Sequence, residues 1–257
     1  MQPAKRVYKR KFLAKIRDLT AIMTTREALR HYKLMSQKGA RMRDVQGLLF
    51  DGDGTLIDTY DMIMQSMRRI LNDGEGMDLS EAGLMVGVGT PLLDQMLHFT
   101  NGDVPRAERL VDEYRAHNDA IHDAGIRAFD DTAAALERFR AAEIPLGVVT
   151  SKRHELAERG FRLTGLFDFF SVFVCADDWP EHKPKPGPIL HASELLGVAP
   201  EHCLYVGDSP YDIQAGNAAG CRTVAVTWGM FSAETLAAEH PTFMIDSLSE
   251  LADMLGV

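Results

Sequence analysis

The chain has 257 residues, of which 46% are hydrophobic and 25% charged, and its formal net charge is −9 at pH 7. This length accommodates one sizeable domain with a smaller inserted module, and the composition is typical of a soluble globular protein. No apolar run approaches the roughly 20 residues that span a bilayer.

The charge is unevenly distributed along the chain. Residues 1–43 contain 13 Lys and Arg against 2 Asp and Glu, whereas residues 44–257 contain 15 against 35. Four apolar residues recur at helical spacing in the basic part: Phe12, Ile16, Leu19 and Met23. We therefore predict a basic helical extension over 1–44, which either contacts an anionic membrane surface or a partner, or is a solvated leader. The acidic body argues against nucleic-acid binding by the core.

The three cysteines, Cys175, Cys203 and Cys221, are odd in number and lack the spacing of a metal site. Free, buried thiols in a reducing compartment are therefore expected. The basic amino-terminal segment also lacks the apolar stretch of a secretory signal. Both observations favour a cytoplasmic protein.

From residue 45 onward, apolar runs of strand length alternate with helical patterns, as in βαβ units around a parallel sheet. The predicted strands cover 45–50, 144–150, 171–174, 203–206, 223–226 and, more weakly, 242–245. The predicted helices between them include 153–163, 188–196 and 210–219. The pattern predicts an α/β fold with a Rossmann-like, three-layer parallel sheet.

About ninety residues separate the first two predicted strands, far more than one crossover helix needs. Helical patterns fill this interval, most clearly at 62–71, 91–99 and 107–121. An inserted α-helical cap over 61–127 explains the interval better than a long loop. The α/β core then comprises 45–60 and 128–257.

The segment GLLFDGDGTLID ends the first predicted strand with two carboxylates, Asp51 and Asp53. Ligands collect at the carboxyl ends of strands in open parallel sheets, and side chains two residues apart point the same way while the chain stays extended. Two carboxylates so close need a counter-charge, such as a divalent cation, or a shared proton. Gly54 allows the chain to turn away sharply.

A second carboxylate follows a strand in CLYVGDSPYDIQAG, where Ser209 and Pro210 are typical of a helix N-cap and first residue. Asp208 lies where a second metal ligand would be useful, and oxygen ligands favour Mg²⁺. Asp212 has two interpretations, as support for the metal site or as the acid of a capping box with Ser209.

Two further segments suit a bound phosphate. IPLGVVTSKR ends a strand with the Thr150 hydroxyl and an unpaired backbone N–H at a helix start, although Thr150 or Ser151 could be a simple cap. HKPKPGP places Lys183 and Lys185 in a proline-rich loop that either aims a positive charge at a phosphoryl group or is ordinary exposed chain.

Together these features resemble the haloacid dehalogenase superfamily of phosphohydrolases over residues 45–257. The four motifs are DGDGT at 51–55, VVTS at 148–151, KPKPGP at 183–188 and GDSPYD at 207–212. Within this superfamily the chain is most similar to the phosphoglycolate phosphatases and their pyrophosphatase relatives, which have a small helical cap. The segments GFRLTGLFDFF, GCRTVAVTWG and VGVGTPL support that subgroup.

The resemblance implies a role for each matching residue. Asp51 would attack phosphorus to give an aspartyl-phosphate, and Asp53 would protonate the leaving oxygen and then activate water. Mg²⁺ would be bound by the Asp51 carboxylate, the Asp53 backbone carbonyl and Asp208. The implied substrate-binding residues are Thr150, Ser151 and Lys183, since Lys183 rather than Lys185 precedes the first proline of its motif.

The expected function is Mg²⁺-dependent hydrolysis of a small phosphorylated metabolite, with phosphoglycolate as the leading substrate. Pyrophosphate hydrolysis is the alternative, and a phosphomutase is a weaker one. An alternative from a different class of function is a binding module without catalytic activity, tethered by the basic tail. The presence of both Asp51 and Asp53 argues against it.

Two parts of the cap leave alternatives open. The segment RAFDD at 127–131 departs from the family pattern where the cap returns to the core. Four cap residues either contact an anionic substrate or lie at the surface and in cap packing: Arg115, His117, His122 and Arg127.

Overall fold

The structure is a computed structural model, and it describes Met42 and residues 44–257. The basic extension predicted over 1–44 lies outside the described residues, apart from Met42 and Asp44. Among the described helices, none has both the length and the apolar character needed to cross a membrane.

In the described part of the chain, six strands form one parallel sheet and two more form an antiparallel ribbon. The strands are Gly47–Phe50 (β1), Ile57–Asp58 (β2), Arg127–Ala128 (β3), Leu146–Val149 (β4), Val172–Val174 (β5), Cys203–Gly207 (β6), Arg222–Val226 (β7) and Phe243–Ile245 (β8). The sheet has the order β5-β4-β1-β6-β7-β8, with β1 between β4 and β6. Every residue of these three strands is buried, as expected where helices cover both faces.

Helices connect the strands, as βαβ units require. They are Tyr60–Met67 (α1), Glu81–Leu84 (α2), Leu92–Phe99 (α3), Val104–Gly125 (α4), Thr132–Ala141 (α5), His154–Leu163 (α6), Gly187–Leu196 (α7), Pro210–Ala219 (α8), Ala233–Ala238 (α9) and Leu248–Leu255 (α10). Short 3-10 turns cover Phe167–Phe169 and Pro200–His202. The predicted α/β fold with a parallel sheet is confirmed, and all six predicted strands are present.

Between β2 and β3, helices α1, α3 and α4 pack around an apolar cluster of their own. Helix α4 extends beyond the predicted 107–121 because the Asp103 side chain accepts a hydrogen bond from the backbone N–H of Arg106 and caps the first turn. The helix predicted over 62–71 is α-helical only to Met67 and then continues as a π-helical segment, Arg68–Gly74.

The ribbon of β2 and β3 joins the places where the chain leaves the sheet and returns to it. Ile57 pairs with Ala128 and Asp58 with Arg127, and the Arg127 guanidinium also forms an ion pair with the Asp58 carboxylate. The RAFDD segment, which departs from the family pattern, therefore begins with a strand of this ribbon.

The predicted division into a core of 45–60 and 128–257 and a cap of 61–127 stays a prediction. The prediction of free, buried thiols is confirmed for all three cysteines.

Candidate active site

Asp51 lies directly after β1, at the sheet edge where ligands bind in open α/β folds. Its backbone N–H donates to the carbonyl oxygen of Val206 at 2.8 Å, which fixes the residue beside β6. Burial raises the pKa of the Asp51 carboxyl to about 7, although the positive charge of Lys183 opposes this shift. Asp51 is therefore a buried carboxyl that depends on nearby positive charge to stay ionised at neutral pH.

Lys183 supplies part of that charge. Its ammonium lies 2.8 Å from Asp51 Oδ1, 2.6 Å from Asp212 Oδ1 and 3.4 Å from the carbonyl oxygen of Val149. Burial by itself would lower the pKa of Lys183, but the carboxylates of Asp212 and Asp51 hold it well above its usual value. Lys185 is exposed instead, so the geometry favours Lys183 as the lysine of the site.

Asp212 holds Lys183 in place and also caps α8. Its Oδ1 accepts hydrogen bonds from Lys183 Nζ at 2.6 Å and from the Tyr205 hydroxyl at 3.0 Å. Its Oδ2 accepts from the Ser209 backbone N–H at 3.0 Å, and the Asp212 backbone N–H donates to Ser209 Oγ at 3.2 Å, which completes a capping box. The capping-box interpretation of Asp212 is therefore confirmed, and its support for a metal site stays a prediction.

Asp208 follows β6 directly and is 2% exposed. Its Oδ1 accepts a hydrogen bond from Thr55 Oγ1 at 3.3 Å, and its Oδ2 accepts one from the backbone N–H of Met230 at 2.7 Å. Carboxylate oxygens of Asp51, Asp208 and Asp212 lie within 4.8 Å of one another. The acidic side chains at the ends of β1 and β6 are therefore close enough to share one cation.

The charge balance of this buried cluster suits a divalent cation. Three buried carboxylates, those of Asp51, Asp208 and Asp212, lie close together, and two of them, Asp51 and Asp212, contact the buried ammonium of Lys183. When all three acids are ionised, two negative charges remain uncompensated. Burial raises the pKa of Asp208 well above its usual value, and the charges of Asp212 and Asp51 raise it further. A set of carboxylate oxygens with this excess charge fits Mg²⁺.

Asp53 pairs with a different lysine. Its Oδ1 lies 2.9 Å from Lys152 Nζ, and the two side chains are 23% and 14% exposed. None of the four motifs assigns a role to Lys152. Its position was the only indication in the sequence: Lys152 follows the end of a predicted strand by two residues, in VVTSK.

Thr150 and Ser151 follow β4 at the same edge of the sheet. Thr150 is 6% exposed, and its hydroxyl accepts a hydrogen bond from the backbone N–H of Lys152 at 3.2 Å. The Ser151 hydroxyl donates to the carbonyl oxygen of Gly89 at 2.9 Å. Thr150 lines the same cavity as Asp51, Asp53 and Asp208, whereas the Ser151 hydroxyl contacts the helical segment between β2 and β3.

A cavity of about 470 Å³ opens beside these side chains. Residues of the sheet edge that line it are Asp51, Asp53, Thr150, Ser151, Lys152 and Asp208. Residues of the helical segment that line it include Met62, Leu92, Tyr114, Arg115 and Asn118. Burial raises the pKa of Tyr114, and the charge of Asp53 raises it further, so this residue is a neutral phenol beside the acid.

Of the four cap residues considered from sequence, Arg115 lines the cavity. His117 contacts the Ser66 hydroxyl at 3.1 Å through Nδ1, and His122 is fully buried with its Nδ1 3.0 Å from Asp123 Oδ1. Arg127 is in the ribbon. The packing interpretation therefore holds for His117 and His122.

Known proteins share this sequence pattern. A family model described as haloacid dehalogenase-like hydrolase matches residues 48–226. The chain is 35% identical over 214 residues to pyrophosphatase PpaX of Anoxybacillus flavithermus, covering 83% of this chain and 98% of the relative. It is 34% identical over 212 residues to pyrophosphatase PpaX of Oceanobacillus iheyensis, covering 82% and 97%.

Solved structures share the fold. A predicted phosphatase from Clostridium acetobutylicum has a TM-score of 0.74 at 25% identity, covering 83% of this chain and 100% of that one. A predicted phosphoglycolate phosphatase from Haemophilus somnus has a TM-score of 0.71 at 24% identity, covering 83% and 99%. At the latter identity the likeness shows the fold alone.

The fold, with acidic residues at the carboxyl ends of β1 and β6, is that of a hydrolase of the α/β class. The family match extends over more than half of the chain, and the chain belongs to the haloacid dehalogenase-like hydrolase family. The resemblance based on the four motifs is thereby confirmed.

Gly54 allows the chain to pass close to Asp208, and its replacement should impair the site. Its φ is +80°, and a Cβ built there would lie 2.3 Å from Asp208 Oδ2. We expect Gly54→Ala to displace the Asp208 carboxylate and to lower kcat/KM about 100-fold, since a shift of an ångström at a catalytic group has an effect of that order.

Gly102→Ala is the matched control for this variant. Gly102 has a φ of +84°, but a Cβ built there meets no atom within 4 Å. Both variants therefore carry a similar backbone strain of about 1–2 kcal/mol, and only Gly54→Ala presses on the site. Equal losses of activity in the two variants would show that the contact with Asp208 is unimportant.

Proposed function

We propose that this protein is a Mg²⁺-dependent phosphatase that hydrolyses a small phosphorylated metabolite through an aspartyl-phosphate on Asp51. The observation that carries the proposal is that the carboxylates of Asp51 and Asp208, at the ends of neighbouring strands, lie within 4.8 Å of each other while the buried ammonium of Lys183 contacts Asp51. This arrangement presents a carboxylate nucleophile and fixed positive charge at the same point.

In the first step, a carboxylate oxygen of Asp51 forms a bond to phosphorus, and the bond from phosphorus to the leaving oxygen breaks with its electron pair. Asp53, in its protonated form, gives its proton to that oxygen and is left as a carboxylate. In the second step, Asp53 takes a proton from water as the water oxygen attacks phosphorus, and the acyl-phosphate bond breaks to restore the Asp51 carboxylate. Each proton transfer of this kind typically increases the reaction rate about 10²–10⁴-fold.

The groups proposed to bind the phosphoryl oxygens and stabilise their charge are Lys183, Thr150 and Ser151. Asp51, Asp208 and the Asp53 backbone carbonyl are the proposed Mg²⁺ ligands. When bound, Mg²⁺ would neutralise the excess charge of the cluster and polarise the phosphoryl oxygens. Lys183 is already held by Asp51 and Asp212 at 2.8 and 2.6 Å, so its position requires no rearrangement.

Two substrates fit the site, and both carry a second anionic group. Phosphoglycolate is the leading candidate, since the Asp51 site suits a phosphate monoester and Arg115 lines the cavity that would hold the glycolate carboxylate. Pyrophosphate is the second candidate, favoured by the relatives named pyrophosphatase that are 34–35% identical to this chain. A phosphomutase is a weaker alternative.

A steady-state assay of phosphate release from phosphoglycolate, pyrophosphate and neutral phosphate esters tests the proposal. We expect release with Mg²⁺, its loss when a chelator removes the metal, and its return when Mg²⁺ is restored. Unchanged release in chelator would contradict the metal dependence. Transfer of phosphate between substrates without release would favour a mutase.

We also propose a cytoplasmic location, which the three free, buried cysteines support. Contact of the basic extension with a membrane surface or a partner stays a prediction.

A further inference from the structure

Each aspartate of the DGDGT segment is paired with its own lysine, and the two pairs differ in how firmly they are held. Lys183 Nζ contacts two carboxylates and a backbone carbonyl, and its side chain is 2% exposed. Within the described part of the chain, the only carboxylate in ion-pair contact with Lys152 Nζ is that of Asp53, and the Lys152 side chain is 14% exposed. Lys183 is thus fixed by its surroundings, whereas Lys152 can change partners.

The backbone of Lys152 is anchored on both sides. Its N–H donates to Thr150 Oγ1 at 3.2 Å, and its carbonyl oxygen accepts a hydrogen bond from the backbone N–H of Ala176 at 2.9 Å. The side chain is a flexible four-carbon stem with a compact charge at its end. A change of partner therefore needs rotation of this side chain alone.

The ammonium of Lys152 lies where a leaving group would pass. The phosphoryl group must contact Asp51, and the leaving group then extends into the cavity whose wall includes Lys152 and Asp53. Two arginines also line that wall, Arg115 and Arg153, and Arg153 lies 3.8 Å from Asp119 with its side chain 40% exposed. Lys152 is in ion-pair contact with Asp53, the proposed general acid.

Three further acids line the cavity wall: Asp94, Asp119 and Asp177. The Asp119 carboxylate faces Arg153, and the Asp177 carboxylate accepts a hydrogen bond from the backbone N–H of His154 at 2.7 Å. Among the described residues, Asp53 is the only acid in ion-pair contact with Lys152, so an anionic group of the substrate would compete for Lys152 with Asp53 alone.

We propose that Lys152 is a specificity-determining residue that exchanges partners when substrate binds. In the free enzyme it pairs with Asp53. A second anionic group on the substrate, whether a carboxylate or a phosphoryl group, takes over the Lys152 ammonium and leaves the Asp53 side chain free to contact the leaving oxygen. This inference rests on the proposed phosphatase function and names its substrate class: phosphate compounds whose leaving group is itself anionic.

The exchange favours anionic leaving groups over neutral ones of the same size. A neutral leaving group offers Lys152 no new partner, so Asp53 must break its ion pair without replacement before it reaches the leaving oxygen. We expect the wild type to prefer phosphoglycolate over 2-hydroxyethyl phosphate, in which a hydroxymethyl group replaces the carboxylate, by at least about 10-fold in kcat/KM, the ratio that about 1.4 kcal/mol corresponds to.

The test compares this preference in the wild type, Lys152→Met, Lys152→Arg and Lys185→Met. Pyrophosphate, with an anionic leaving group, and methyl phosphate, with a neutral one, form a second pair of substrates. This pair is used if the enzyme hydrolyses pyrophosphate faster than phosphoglycolate. Lys152→Met should reduce the preference to within about 3-fold, because kcat/KM falls for the anionic substrate, which loses its cation, and rises for the neutral one, for which Asp53 has no ion pair left to break. Lys152→Arg should keep most of the preference. The Lys185 side chain is 66% exposed, so Lys185→Met should show the same preference as the wild type.

An equal fall of kcat/KM for both substrates in Lys152→Met would mean that Lys152 only positions Asp53, and would overturn the inference. A wild type without preference would overturn it as well. If the wild type hydrolyses none of the four compounds with Mg²⁺, the proposed function fails and the inference with it. Hydrolysis with a preference that does not depend on Lys152 refutes the inference alone.

Discussion

Asp51→Asn lowers kcat at least about 10⁴-fold, the order of effect expected when a covalent nucleophile is removed. The amide has nearly the shape of the carboxyl but cannot attack phosphorus. Its fold should persist, because Lys183 keeps its contact with Asp212. Burial raises the pKa of Asp51 from 3.8 to about 7, so ionisation of this carboxyl destabilises the folded state, by an amount that grows between these two pH values and is complete at pH 8. A neutral amide removes this cost, and the free energy of unfolding at pH 8 should be unchanged or higher.

The measurements are phosphate release and thermal unfolding on the same preparations. Asp112→Asn is the matched control, since Asp112 is exposed on α4 and the same chemical change there should leave both quantities unaltered. An Asp51→Asn variant as active as the parent would revive the idea of a binding module and contradict covalent catalysis.

Lys183→Met lowers both activity and stability, since one ammonium serves two buried carboxylates. Removing it leaves Asp51 and Asp212 facing each other without compensation, and breaking a buried pair in this way costs about 3–5 kcal/mol. It also removes a fixed positive charge from the phosphoryl group, for which a loss of about 10²–10³ in kcat is expected. Chemical denaturation and steady-state kinetics measure the two effects separately.

Two further variants locate the cause of the instability. Lys185→Met changes an exposed lysine two residues away and should change the free energy of unfolding by less than about 0.5 kcal/mol. Adding Asp212→Asn to Lys183→Met removes one of the unpaired charges, so the double variant should be more stable than the sum of the two single changes predicts. Strict additivity would show that the ion pair seen at 2.6 Å does not couple the residues energetically.

The sequence could predict the strands and the carboxylates at their ends, because β1 and β6 are apolar runs that stop abruptly at Asp51 and Asp208. Parallel pairing then brings those ends together at one edge of the sheet. The ribbon could not be predicted, since strands of two residues have no periodicity to detect.

The lysine pairings were also beyond sequence reasoning. Lys183 and Asp51 are 132 residues apart, and Lys152 and Asp53 are 99 residues apart, so only the folded register decides which lysine meets which aspartate. The motif indicated Lys183 through its position before a proline, but nothing comparable distinguished Lys152. The shape of the cavity depends on how α4 packs, and the sequence offers no rule for that.

The stereochemical course at phosphorus tests the central claim most directly. A thiophosphate ester made chiral with oxygen-18 would be hydrolysed by the wild type in water labelled with oxygen-17, and the configuration of the released thiophosphate determined. Each in-line transfer inverts phosphorus, so transfer first to Asp51 and then to water predicts overall retention. Overall inversion would mean that water attacks the substrate directly and that Asp51 forms no covalent intermediate.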